Sequence, residues 1–161
     1  MNRLRFNNKL KVSLFIGSLC LLFIFTFVFP IWIFSYFKFS GIKHLILDNY
    51  IITFVSGVII VYFIITGQYY YNIYVDSYVV KVTSFRPVLD LLTFRNYVDI
   101  SHSMLVDYSF FNRPFTFNKT LMLKIKANKK LVIKRFNLTL ISKAELNSLS
   151  SFLDKIIENN K

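Results

Sequence analysis

The chain has 161 residues, of which 55 % are hydrophobic, 19 % aromatic and only 17 % charged. With a mean hydropathy of +0.49, it fits neither a disordered chain nor an ordinary cytosolic one. Lys and Arg number 20 against 8 Asp and Glu, a formal charge of +12, and on a membrane protein such an excess points to the cytoplasmic face and its anionic lipid. One cysteine, Cys20, excludes an intrachain disulfide framework and a cysteine-rich zinc site.

Arg3, Arg5, Lys9 and Lys11 form a basic head, and no charge follows from Val12 to Phe37. That run exceeds the ~20 residues needed to cross a ~30 Å hydrocarbon core, so it predicts a transmembrane helix over about 12–37, too long for a cleaved secretory signal. Pro30 falls inside it, with Trp32 and Tyr36 near its far interface. A second uncharged run, Asn49–Val75, predicts a helix over about 49–71 ending in an interfacial belt of Tyr69, Tyr70 and Tyr71. The short 38–48 link makes the pair an antiparallel hairpin. Four basic residues precede it, two lie in the link and fourteen follow Asp76, which places both termini in the cytoplasm of a multi-pass inner-membrane protein.

After Asp76 the pattern shortens to period 2, so residues 1–75 read as basic segment plus hairpin and 76–161 as a cytoplasmic β domain. Strands are predicted over Tyr78–Ser84, Tyr97–Ser101 and Met104–Phe111. A hairpin follows from Leu121–Ile125, a turn at Ala127–Lys129 and a return over Leu131–Phe136. Ser142 and Glu145 then form a capping box, and Leu146, Leu149, Phe152, Leu153, Ile156 and Ile157 recur at three and four residues. An amphipathic helix over 142–158 closing one end of a sheet is the reading.

Taken together, the two apolar runs, the tyrosine-rich exit, Val98-Asp99-Ile100, the Leu121-Met122-Leu123 strand and the Ser142-Lys-Ala-Glu145-Leu146 helix start resemble bacterial PH-like membrane proteins. The resemblance spans almost the whole chain as a layout. It implies a membrane-anchored α+β protein with a PH-like β-sheet or barrel domain, and binding or scaffolding rather than catalysis.

Residues that carry chemistry are sparse. His44 and His102 have no spaced metal-ligating partner, Cys20 lies within an apolar run, and Asp76, Asp90, Asp99 and Asp107 are dispersed. All four Gly lie at 17, 41, 57 and 67, so there is no phosphate-binding loop, and the chain reads as no enzyme and without a cofactor. Ser13/Gly17 and Thr53/Gly57 are small pairs suited to helix packing within the hairpin or to homo-oligomerisation. Lys124, Lys126, Lys129, Lys130, Lys134 and Arg135 cluster around one hairpin. The cluster reads as a solvated face, or as a contact for anionic lipid or a membrane-protein partner; nucleic acid is not supported, for want of a recognition motif. Asn118-Lys-Thr120 and Asn137-Leu-Thr139 match the glycosylation sequon but fall in the cytoplasmic domain. The functional expectation is a binding protein presenting a basic domain at the membrane. The alternative is an immunity or regulatory factor acting through its membrane hairpin.

Overall fold

A computed structural model describes residues 3–28, 50–87, 96–127 and 130–160. The chain divides into two compact units, one comprising Met1–Val12 with Gln68–Lys161 and the other Ser13–Gly67.

The first unit is a β domain whose strands straddle the apolar segment. Strands β1 (Leu4–Asn7), β2 (Tyr70–Val75), β3 (Val79–Phe85) and β4 (Asn96–Ser101) form one antiparallel sheet in sequence order. Strands β5 (Leu105–Asn112), β6 (Asn118–Ala127) and β7 (Lys130–Thr139) form a second, so the expected single sheet or barrel is instead two sheets of four and three strands. Alternation supplies the core: Tyr71, Ile73 and Val75 of β2 and Val80 and Val82 of β3 face Leu121, Leu123, Phe136 and Leu138 of the second sheet. The C-terminal helix Lys143–Asn159 completes it with Leu149, Leu153 and Ile156 buried. Ser142 caps this helix by accepting from the Glu145 N–H at 3.1 Å, while Glu145 accepts from the Ser142 N–H at 2.8 Å. At its other end the Asn160 amide donates to the carbonyls of His102 and Leu105.

Domain limits of 1–75 and 76–161 therefore do not describe this unit. β1 lies within the basic head, and Leu4↔Val75 through Asn7↔Asn72 pair it with β2. Tyr70 and Tyr71 belong to β2 and are not an interfacial belt.

The second unit contains α1 (Lys9–Phe23, beginning in the β domain), a π-helical turn (Ile24–Val28) and α2 (Tyr50–Thr66). Phe15 and Phe63 meet edge to face at 4.9 Å. Phe27 lies against Gly57, 3.6 Å from where a Cβ would stand, whereas nothing lies within 4 Å of a Cβ built at Gly17. The expected two-helix transmembrane hairpin is overturned: among the described residues only Lys9–Val28, 20 residues, is long and apolar enough to cross a membrane. Helix α2 has 17 residues, about 25 Å at 1.5 Å per residue against a hydrocarbon core of about 30 Å. It ends at Gly67, whose φ of 68° is the left-handed terminator that glycine adopts without cost. The uncharged run continued past that stop only because β2 also lacks charge. A multi-pass location loses its support with the hairpin. Pro30, Trp32, Tyr36, the 38–48 link with His44, and Asp90 lie outside the described residues.

Candidate interaction surfaces at the two ends of the β domain

One end of the domain is the corner where the apolar segment leaves and returns. Asn8, fully buried, ties three backbone segments together there: its amide donates to the carbonyls of Tyr69 at 2.9 Å and Thr139 at 2.8 Å, and its Oδ1 accepts from the Tyr71 N–H at 2.7 Å. The Thr139 hydroxyl accepts from the Tyr69 N–H at 2.8 Å and donates to Asn118 Oδ1. The two sequons acquire a structural role here. Antiparallel register sets Asn118 opposite Thr139 and Thr120 opposite Asn137, and the Thr120 hydroxyl donates to Asn137 Oδ1 at 3.0 Å. Two Asn-x-Thr triplets on neighbouring strands are thus a cross-strand polar ladder.

Charge at this corner is also paired. Lys11 Nζ lies 2.9 Å from Glu145 Oε1. Partial burial raises the Glu145 carboxyl, but the Ser142 N–H and the Lys11 ammonium outweigh it and hold the group below its usual value. Tyr71 is buried with its hydroxyl lacking a partner in the described chain, and burial, then the charge of Glu145, pushes that phenol up.

The opposite end is the β6–β7 tip. From Thr139 to Lys130 the strand has 10 residues, about 30 Å end to end at about 3.3 Å per step, so the tip stands a strand's length from the corner. Lys130–Arg135 are six consecutive exposed residues, including Leu131 at 68 %, Val132 at 37 % and Ile133 at 50 % exposure. The predicted basic cluster divides here. Met122↔Arg135, Lys124↔Ile133 and Lys126↔Leu131 put Lys124, Lys126 and Arg135 on one face of the sheet, while Leu123↔Lys134 and Ala127↔Lys130 put Lys130 and Lys134 on the other. Lys124 is engaged with Asp107 at 2.7 Å, a pairing that holds the Asp107 carboxyl below its usual value. Lys129 lies outside the described residues.

No protein-family model, curated protein or solved structure matches this chain.

Asp76 and Asp99 are engaged in local pairs. Asp99 pairs with Lys81 at 2.9 Å and receives the Tyr97 hydroxyl at 2.8 Å; Asp76 receives the Tyr74 hydroxyl at 2.8 Å and lies 3.5 Å from Arg3. Among the described residues no group of three His, Cys, Asp or Glu is placed to hold a metal. Sequence reasoning missed Asn8, Thr139 and the exposed Leu131–Ile133 run. The alternation of Leu4 and Phe6 with Arg5, and of Tyr71, Ile73 and Val75 with Asn72 and Tyr74, was the available signal for β1 and β2.

Proposed function

We propose that this chain is a membrane-anchored binding or scaffolding protein of the bacterial PH-like type, whose β domain is held at the cytoplasmic face of the inner membrane and offers the β6–β7 tip to a protein partner. The observation that carries the reading is the tip itself. Six consecutive residues of β7 are exposed, three of them are large and apolar, and β7 ends the order of its sheet, an edge that is a template for an added strand or an apolar partner surface. Lys126, Lys130, Lys134 and Arg135 rim it, so the fitting partner is acidic at its border.

Several features support the anchor and the side. Helix Lys9–Val28 is apolar around its whole circumference, with Leu14, Leu21 and Phe25 exposed, and such a helix needs apolar surroundings. Because β1 pairs with β2, both ends of the apolar segment lie on one side of the membrane, so Lys9–Val28 serves as an apolar anchor within a segment that returns to the side it left and not as a single crossing. Arg3, Arg5, Lys9 and Lys11, immediately before the apolar run, favour the cytoplasmic side. The PH-like assignment is supported by antiparallel sheets of four and three strands with a C-terminal helix on one core. Protein is favoured over lipid at the tip by its distance of about 30 Å from the anchored corner.

Photo-crosslinking in native membranes tests this. A benzoylphenylalanine at Ile133 is expected to yield a discrete adduct, and one at the exposed Lys155 of the C-terminal helix none. Identical patterns from the two positions would remove the tip as the binding surface.

A further inference from the structure

At the anchored corner a second surface has been left open, the β5–β6 connection Arg113–Phe117. Its place is fixed by hydrogen bonds: the Leu140 N–H donates to the Phe117 carbonyl at 3.1 Å, and the adjacent Thr139 accepts from Tyr69 and from Asn8. The connection therefore emerges beside the points at which the chain enters and leaves the apolar segment. Phe111, Phe115 and Phe117 are exposed there, Phe115 at 90 %. Arg113 and Lys119 line an adjoining cleft of about 470 Å³.

The backbone at Phe115 is costly. The Thr116 hydroxyl donates to the Arg113 carbonyl, Pro114 opens the turn, and Phe115 follows with φ of 58°, a position where a turn normally uses glycine. A solvent-exposed phenyl ring contributes nothing to the fold that would offset this strain, and strain retained at a surface points to a role outside the fold. Leu140, with φ of 56°, is the other non-glycine residue in this conformation among those described, and it is the one bonded to Phe117.

We infer that the Arg113–Phe117 turn is a second membrane contact, in which Phe115 and its neighbours enter the bilayer interface while Arg113 and Lys119 meet anionic headgroups. The occupant is the membrane because the turn lies at the one corner that the anchor already brings to it, and because aromatic rings rimmed by basic side chains match the chemistry of that interface. This rests on the anchor reading above. It moves the lipid contact from the distal hairpin to the opposite end of the domain.

Single-tryptophan reporters in the full chain test it. In a Trp32→Phe background, Phe115→Trp, Ile133→Trp and Phe25→Trp proteins are reconstituted into vesicles of phosphatidylcholine and phosphatidylglycerol, with or without bromine on the acyl chains. The expected result is loss of most of the emission at 115 and 25 in brominated vesicles and none at 133. Adding Arg113→Glu and Lys119→Glu to the Phe115→Trp protein is expected to restore emission. Quenching at 25 without quenching at 115 overturns the turn contact alone, and absence of quenching at 25 overturns the anchor and the contact together. Equal quenching at 115 and 133 overturns the assignment of a membrane-facing end.

Discussion

The two ends of the β domain are built on opposite plans. At the corner, a buried polar network joins the chain end of β1 to β2, β6 and β7: Asn8, Thr139 and Asn118 exchange hydrogen bonds there, with the Tyr71 hydroxyl the exception. At the tip, apolar groups are exposed, and Leu131, Val132 and Ile133 stand outside the buried core. Buried polar networks fix geometry because each unmade bond is expensive, whereas exposed apolar edges leave a surface free to pair. The corner thus fixes the packing of the β domain where the chain leaves and re-enters it, and the tip leaves an apolar edge exposed.

The largest effect follows from the way the domain is split. A truncation beginning at Asp76 removes β1 and β2, and with them Tyr71, Ile73 and Val75 from the core; it is expected not to fold. Joining Val12 to Gln68 through a short Gly/Ser linker in place of 13–67 restores those strands, and because Asn8 already bonds the Tyr69 carbonyl the gap is short. That protein is expected to show a cooperative thermal transition by circular dichroism. A transition in the truncation would mean that β1 and β2 are dispensable to the core, and none in the linked form would mean that the 13–67 segment is needed to organise the domain.

Next in size is Asn8→Ala. It leaves the Tyr69 and Thr139 carbonyls and the Tyr71 N–H without their partner in a buried site, and each such group costs about 1–3 kcal/mol. A loss of about 3 kcal/mol or more is expected from denaturant titration of the full chain in micelles, while Lys126→Ala at the tip is expected to stay within about 0.5 kcal/mol. Similar losses for the two would erase the distinction between the ends.

These residues also show how far the sequence could be read. The closing helix was legible because Ser142, Glu145 and the apolar stripe are local signals, and the β6–β7 hairpin because Leu121, Leu123 and Ile125 alternate with lysine. The second apolar run was misjudged because absence of charge does not distinguish a helix from a strand: Ile51–Thr66 and Tyr70–Val75 are equally uncharged, and only Gly67, Gln68 and Tyr69 separate them. β1 was hidden by its length of four residues and by arginines that also serve as a membrane flank. Asn8 had no signal, since its partners are 61 and 131 residues away. The basic cluster was legible as composition but not as a surface, because strand register decides which face each lysine occupies.

Tyr71 reverses the sign of the expected effect. Its hydroxyl is buried without a partner at the corner, and an unsatisfied hydroxyl costs about 1–3 kcal/mol. Tyr71→Phe is expected to gain about 1 kcal/mol and raise the midpoint by a few degrees. A destabilised Tyr71→Phe protein would show that the corner network extends to this hydroxyl.

Acid distinguishes the ends more finely. Glu145 at the corner and Asp107 on the sheet that carries the tip are both held below their usual values. A lowered folded-state value gives stability that is present above the unfolded carboxylate range and lost as pH falls through the folded value. Glu145→Gln is expected to flatten the acid limb of the stability curve more than Asp107→Asn, because Glu145 is partly buried and receives three interactions; both effects are fractions of a kcal/mol after solvent screening. Equal flattening would place the two carboxylates in equivalent environments.

The smallest stability change belongs to the tip, and there its smallness is the informative result. Ile133 is half-exposed, and its opposite residue, Lys124, already has Asp107 as a partner, so Ile133→Thr keeps a β-branched side chain in the strand and removes little buried area. Stability is expected to change by less than about 0.5 kcal/mol. Partner crosslinking from a benzoylphenylalanine at Leu131, two residues away, is expected to fall sharply in the same protein, because the apolar run at the edge has been interrupted. A large loss of stability would mean that the tip is part of the core after all, and unchanged crosslinking would mean that the partner is held by the basic rim and not by the apolar edge.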